Sequence, residues 1–229
     1  MNMMTEASHN REKARAAYTR GDFKEAFDLW NAEAQAGDSE AQAWLGALYA
    51  NGEGVAVDDV RALAWYLKAA ELGNHMAQAN VGAFYFMGRG APRDVEAAVR
   101  WLSAAADSGD LNGLFNLAVI LAKGDGIPAD HVKAAELYRR AAELGHYPSQ
   151  SRLGYIYAQG KGVPKDRVQA YLWYSLAAQH GIGTALDALE SVVKEMSSEE
   201  KAKGAGLFEE WRTRTRSKEG PLALYPMPG

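Results

Sequence analysis

Between residues 38 and 72 the apolar positions fall into two short periodic runs. In the first, Ala41, Leu45, Leu48 and Tyr49 stand at i, i+4, i+7 and i+8, which predicts a helix over about 38–51. In the second, Ala62, Leu63, Trp65, Tyr66, Ala69 and Ala70 form one broad stripe, which predicts a helix over about 59–72. Polar residues mark the helix starts. Asp38, Asn74 and Asp110 precede first helices, and Asp58, Asp94, Asp130 and Asp166 precede second helices, each with an oxygen to accept from a free backbone N–H. Pro92, Pro128 and Pro164 lie two residues before three of these caps and stop the second helices from starting earlier. His146 takes the cap position of a fourth copy, where it is the weaker cap.

The helix pair recurs. Glycines stand at Gly37, Gly73, Gly109, Gly145 and Gly181, every step being 36 residues. Gly52, Gly88, Gly124 and Gly160 keep the same step, as do Gly54, Gly90, Gly126 and Gly162. These positions hold more than half of the 23 glycines, so the period, and not chance turns, explains where glycine is used. A fixed period in this range is the mark of a solenoid in which each unit buries its apolar face on the next. The Gly-x-Gly between the two helices suits a left-handed helix end followed by a tight reversal. It follows no strand and lacks the Gly-x-x-x-x-Gly-Lys-Ser/Thr spacing of a phosphate loop, so it reads as a turn. Gly46, Gly82, Ala118 and Gly154 let backbones approach, and Trp65, Trp101, Leu137 and Trp173 are expected to fill the adjoining space, each worth roughly 1.5–3 kcal/mol on full burial.

The run Ala41-x-x-x-Leu45-Gly46-x-Leu48-Tyr49-x-x-Gly52-x-Gly54-Val55, continued by Asp58, Ala62, Trp65-Tyr66, Ala69-Ala70 and Gly73, resembles the Sel1-like repeats (SLR), relatives of the tetratricopeptide repeat. Copy three departs most, with Ala118, Leu121 and Leu137 at the glycine, tyrosine and tryptophan positions. The resemblance implies an all-α fold, a right-handed α-solenoid of about twelve antiparallel helices. It predicts repeats at 37–72, 73–108, 109–144 and 145–180 within a single solenoid over 9–216. A tetratricopeptide-like pair at 9–36, its first helix at about 10–19, and a capping pair at 182–216 complete it. Ser197-Ser198-Glu199-Glu200 holds a capping box for the last helix, and Gly204 and Gly206, each costing about 1 kcal/mol against alanine, are expected to let it fray. Residues 1–8 and 217–229 are expected to be disordered. The latter follow Arg212, Arg214 and Arg216 and are rich in proline and glycine, which suits a short linear motif, an anionic contact or a solubilising end.

Charge and composition then narrow the function. Lys plus Arg is 25 against 29 for Asp plus Glu, a net charge of −4, which argues against a surface built to grip nucleic acid. No apolar run approaches the roughly 18 residues of a membrane span, and the first residues show no signal-peptide core, so a cytoplasmic protein without membrane insertion is expected. There is no cysteine, which excludes disulfides, thiolate metal sites and cysteine nucleophiles. The five histidines form no His-Glu-x-x-His pattern, and no serine sits in a Gly-x-Ser-x-Gly elbow. His75, His146 and His180 lie near inter-repeat turns and read as solvent-exposed turn histidines, a metal-binding or pH-sensing edge being the alternative. No catalytic residue, metal or cofactor is expected, and the chain reads as a non-enzyme.

The resemblance implies binding of a partner protein or peptide in a concave groove lined by the first helices, by a monomer or weak homo-oligomer. The signalling, stress or envelope-regulation setting of such scaffolds comes with it. Groove candidates are Trp44, Asn80, Asn116 and Arg152 at one repeat position. Met76, Asn112, Phe115, Val119 and Tyr155 lie on the same face, and Phe86 at its end. Asparagine amides both donate to and accept from an extended peptide, arginine takes a carboxylate bidentately, and aromatic rings supply contact area. Bonding helix backbones inside the stack is the alternative role for Asn80 and Asn116. Asn116 and Arg152 resemble two elements of the tetratricopeptide carboxylate clamp, but Ala79, Ala83 and Pro148 stand where that clamp needs basic or amide side chains. Two rivals to the adaptor remain. One is a hydrolase like the β-lactamase-like SLR proteins, which resemble cysteine-paired repeats; the other is a subunit that self-assembles end to end.

Overall fold

Aspartate and asparagine caps start the helices where the pattern places them. In the structure, a computed structural model describing residues 3–216 (side chains 9–215), Asp38, Asn74, Asp58 and Asp94 each accept a hydrogen bond from the backbone N–H three residues on. His146 makes no such bond, although its Nδ1 lies 2.8 Å from Ser149 Oγ. Twelve helices and no strands are present among the described residues. The segments 1–2 and 217–229 lie outside the described residues, so the expected disorder there falls outside them too.

The helices divide into two compact units, with the division between Gly113 and Leu114. The first unit contains α1 (Met3–Thr19), α2 (Phe23–Gln35), α3 (Ser39–Asn51), α4 (Asp59–Glu71), α5 (His75–Met87) and α6 (Val95–Asp107). Helix α1 starts well before the predicted residue 10. Each helix from α1 to α5 packs on the next in the chain. Trp30, Leu45, Leu48, Tyr66, Val81 and Phe84 are fully buried at the centre of this stack. The division falls within α7 (Leu111–Lys123), and the second unit continues with α8 (His131–Glu143), α9 (Tyr147–Gln159), α10 (Arg167–Gln179), α11 (Gly183–Glu195) and α12 (Ser198–Arg216).

The first glycine of each turn ends a helix in the left-handed region: Gly52 has φ 74° and its N–H donates to the Leu48 carbonyl. The second does something the periodicity did not reveal. A Cβ at Gly54, Gly90 or Gly162 would fall 2.2 Å from the carbonyl oxygen of Phe23, Asp59 or His131 respectively. Each turn therefore rests directly on the start of the preceding repeat's second helix. Three glutamines in register bind the other end of that helix: Gln42, Gln78 and Gln150 Nε2 donate to the carbonyls of Ala34, Ala70 and Ala142 at 3.2–3.3 Å.

Two sequence expectations about packing are corrected. The side chain opposite the small helix residue is the one after the tryptophan position: a Cβ at Gly46, Gly82 or Gly154 would meet Tyr66, Leu102 or Tyr174. Leu137 and Trp173 are buried as expected, whereas Trp65 and Trp101 are only half-buried, and Lys68 Nζ covers the Trp65 ring at 3.9 Å. Gly204 does not fray α12. A Cβ there would lie 2.7 Å from Tyr171 Cδ1, so the glycine admits close packing, and Trp211 further along meets Trp173 edge-on at 4.9 Å. The capping box forms as predicted, with Ser197 N–H donating to Glu200 Oε2 and Glu200 N–H to Ser197 Oγ. The Ser197 N–H bond to the carboxylate holds Glu200 below the usual range.

Candidate partner-binding surface

The predicted groove residues do not share one environment. In the first unit Trp44 is 4% exposed, stacked on Trp30 at 5.4 Å with the planes 3° apart and met edge-on by Tyr18. Its ring is core, because Trp30 of α2 and Tyr18 of α1 pack over it. Asn80 is also buried, and its Nδ2 has no hydrogen-bond partner among the described residues, so that amide nitrogen does not bond a helix backbone. Met76 packs half-buried against the core, and Asn112 is half-buried at the start of α7. Phe86 is half-buried under the Arg93 guanidinium, 5.1 Å from the ring centre.

In the second unit Phe115 is half-buried, edge-on to Tyr138 and to His146, with Asn116 and Val119 half-buried on the same helix. Arg152 and Tyr155 reach the surface of α9, Tyr155 40% exposed. These two alone of the predicted residues meet in a cleft, about 100 Å³ in volume, lined also by Ala122, His131, Ala134, Tyr138, Ile156 and Lys161. Lys161 Nζ donates to Tyr155 Oη at 3.1 Å and sits 5.2 Å from the centre of that ring. The lysine has only donors, so the Tyr155 O–H is left to donate elsewhere. Among the described residues Arg152 forms no ion pair or hydrogen bond. Tyr138 is 3% exposed, and burial raises its hydroxyl to about pKa 12 against an opposing pull from Arg152.

Sequence reasoning missed Tyr138, Lys161 and His131. Tyr138 follows the position expected to pack, and Lys161 lies inside a turn whose only predicted role lay in its glycines. The internal register offered a signal: Lys161 corresponds to Arg89, and His131 to Asp59, two periods earlier.

The turn histidines His75 and His180 are exposed, and each meets its own neighbour. His75 Nδ1 lies 2.9 Å from Asp110 Oδ2, while His180 stacks on Tyr147 at 3.7 Å. No cluster of metal-binding side chains occurs among the described residues, and no described helix is long and apolar enough to cross a membrane.

The Sel1 repeat signature matches residues 39–74, 75–110, 112–146 and 148–182, more than half of the chain. The chain belongs to the Sel1 repeat family. Solved Sel1 repeat structures agree with this. A protective antigen present in uropathogenic Escherichia coli strains and displaying an SLR fold is 31% identical with a TM-score of 0.77. The match covers 88% of this chain but 45% of the antigen, so this Sel1 repeat chain spans less than half of that relative's length. A Sel1 repeat protein from Oxalobacter formigenes is 29% identical with a TM-score of 0.71, over 93% of this chain and 86% of that one. No curated protein sequence matches the chain at a significant level. Together with the twelve helices and absence of strands among the described residues, these neighbours establish the all-α, SLR solenoid class. Sel1 repeat proteins are in general protein-interaction scaffolds and typically non-enzymatic.

Proposed function

We propose that this Sel1 repeat chain is a non-enzymatic adaptor that binds a partner protein or peptide through the surface carrying Arg152 and Tyr155. The supporting observation is the pair itself. Arginine and tyrosine are among the side chains most enriched at binding hot spots, and here they stand adjacent at the surface of one helix, the arginine unused by the fold. Phe115, Asn116 and Val119 belong to the same proposal as flanking contacts, as do Met76, Asn80, Phe86 and Asn112 in the first unit should their helices open to a ligand. Trp44 is omitted, since exposing it would break the stack on Trp30.

The setting implied by the resemblance is a cytoplasmic signalling, stress or envelope-regulation assembly, with the chain acting as a monomer or weak homo-oligomer. The hydrolase alternative finds no supporting observation among the described residues.

The test compares affinity capture by the wild-type chain and by an Arg152→Ala/Tyr155→Ala variant, quantified by mass spectrometry. Both side chains lie at the surface, so the variant should keep its helical circular dichroism. A protein recovered by the wild type and lost by the folded variant, and then shown to bind the purified chain directly, supports the adaptor surface. Recovery of the same proteins by both chains removes that surface from the function.

A further inference from the structure

The residues of the second unit's cleft have counterparts in the first unit, where the charges are paired. Two periods before Lys161 stands Arg89, and two periods before His131 stands Asp59. The local backbone is the same in both places, since Gly90 and Gly162 rest on the carbonyls of Asp59 and His131 with the same 2.2 Å limit on a Cβ. In the first unit Arg89 is satisfied internally. Its Nη2 donates to Asp59 Oδ1 at 2.7 Å, its Nε lies 3.2 Å from both carboxylate oxygens, and Nη2 also reaches the Ala50 carbonyl at 3.3 Å. In the second unit the carboxylate is replaced by an imidazole, and a further cation, Arg152, occupies the position of Asn80. Three basic side chains then line a cleft that no carboxylate lines.

Two further observations say what such a cleft takes. Tyr138, almost wholly buried, lines it, and its hydroxyl has no hydrogen-bond partner among the described residues. A hydroxyl without a partner inside the chain is available to donate to an incoming acceptor. The volume of about 100 Å³ is well below the roughly 300–1,000 Å³ of sites that enclose a whole small molecule. It holds the tip of a side chain instead.

We infer that the cleft lined by Arg152, Lys161, Tyr155 and Tyr138 receives a glutamate or aspartate side chain from an acidic segment of the partner protein. The inference rests on the adaptor reading above and names the partner's chemistry. Arg152 offers two parallel N–H donors to the carboxylate, Lys161 supplies charge, and the Tyr155 O–H, already accepting from Lys161, is free to donate. A backbone C-terminus is not required.

The experiment is fluorescence anisotropy with the full chain at about 0.15 M salt, where surface charges are screened beyond roughly 8 Å. The probe is a fluorescein-labelled hexaglutamate peptide amidated at its C-terminus, with hexaglutamine as the neutral control. The wild type is expected to bind the first and not the second. Arg152→Gln should weaken binding about tenfold or more, the loss of one charge-assisted contact. His131→Asp, which restores the arrangement of the Asp59–Arg89 pair, should do the same by neutralising Lys161 from within. Lys201→Gln, an equal charge change on the exposed face of α12, should leave affinity within about twofold.

Backbone amide shifts of the wild type during the same titration give a reading independent of any variant's folding, and they should centre on residues 152–161. Equal weakening by Lys201→Gln, equal binding of hexaglutamine, or shifts centred elsewhere overturn the inference. So does displacement of the peptide by micromolar inorganic phosphate, which would make a small free anion the occupant. If the peptide fails while capture remains sensitive to Arg152 and Tyr155, the acidic partner is wrong and the adaptor surface stands. If capture is insensitive as well, both fall.

Discussion

Tyr66 lies against Gly46 so closely that a Cβ on the glycine would sit 2.7 Å from Tyr66 Cδ1 and 2.8 Å from Cε1. Helix α3 can approach α4 only because that side chain is absent. Tyr66 is fully buried and has no room to retreat. The same contact recurs at Gly154 and Tyr174, so it belongs to the repeat and not to one position.

Gly46→Ala should therefore destabilise the protein, although alanine is the better helix former by about 1 kcal/mol. Overpacking of a tight core contact costs typically 1–3 kcal/mol, and a net loss of about 1–2 kcal/mol is expected in urea unfolding. A stabilised variant would mean that the two helices separate freely.

The turn glycines should split into two classes. Gly73 has φ +85° with nothing within 4 Å of where a Cβ would stand, so Gly73→Ala should cost only the left-handed conformation, about 1–2 kcal/mol. Gly54 has φ +73° and also meets the Phe23 carbonyl, so Gly54→Ala should cost at least about 1 kcal/mol more. Equal midpoints for the two variants in denaturant would refute the tertiary role given to the second turn glycine.

Trp44→Ala should lose about 3–5 kcal/mol, the ordinary consequence of removing a buried tryptophan. Arg152→Ala should change stability by less than about 0.5 kcal/mol, since its side chain lies at the surface and is unused by the fold. Thermal unfolding of the two variants side by side separates core from surface among residues that occupy the same repeat position.

Alkaline pH should loosen the fold. The Tyr138 hydroxyl is raised by burial from 10.0 to about 12, so between these values the folded chain holds a proton that the unfolded chain releases. Its contribution is complete below pH 10 and is lost as pH rises towards 12. Absorbance at 295 nm should show tyrosines titrating late, and the unfolding midpoint should fall over the same interval. A Tyr138→Phe chain should lose one late-titrating group and show a shallower fall.

Much of this protein is written in its period. The 36-residue step places Asp58, Asp94 and their equivalents at the starts of helices and Gly52, Gly88 and Gly160 at their ends, because caps and left-handed turns act over three or four neighbouring residues and need no distant partner. The apolar spacing likewise determines which face of each helix is buried. The choice of partner across helices is not local. Tyr66 rather than Trp65 meets Gly46, and Gly54 stands on Phe23, because each contact depends on how one helix packs against another and not on neighbours along the chain.

The candidate site shows the same division. Arg152 and Tyr155 are three residues apart on one helix, so their shared face follows from helical geometry alone. Their meeting with Tyr138, Lys161 and His131 joins three separate elements. Trp44, at the same repeat position as Arg152, is buried because a terminal helix pair covers it. The sequence by itself determined the helices, their period and the family; burial, and with it which of several equivalent positions is left free to bind, was decided only by the tertiary structure, since it depends on what each face meets across the stack.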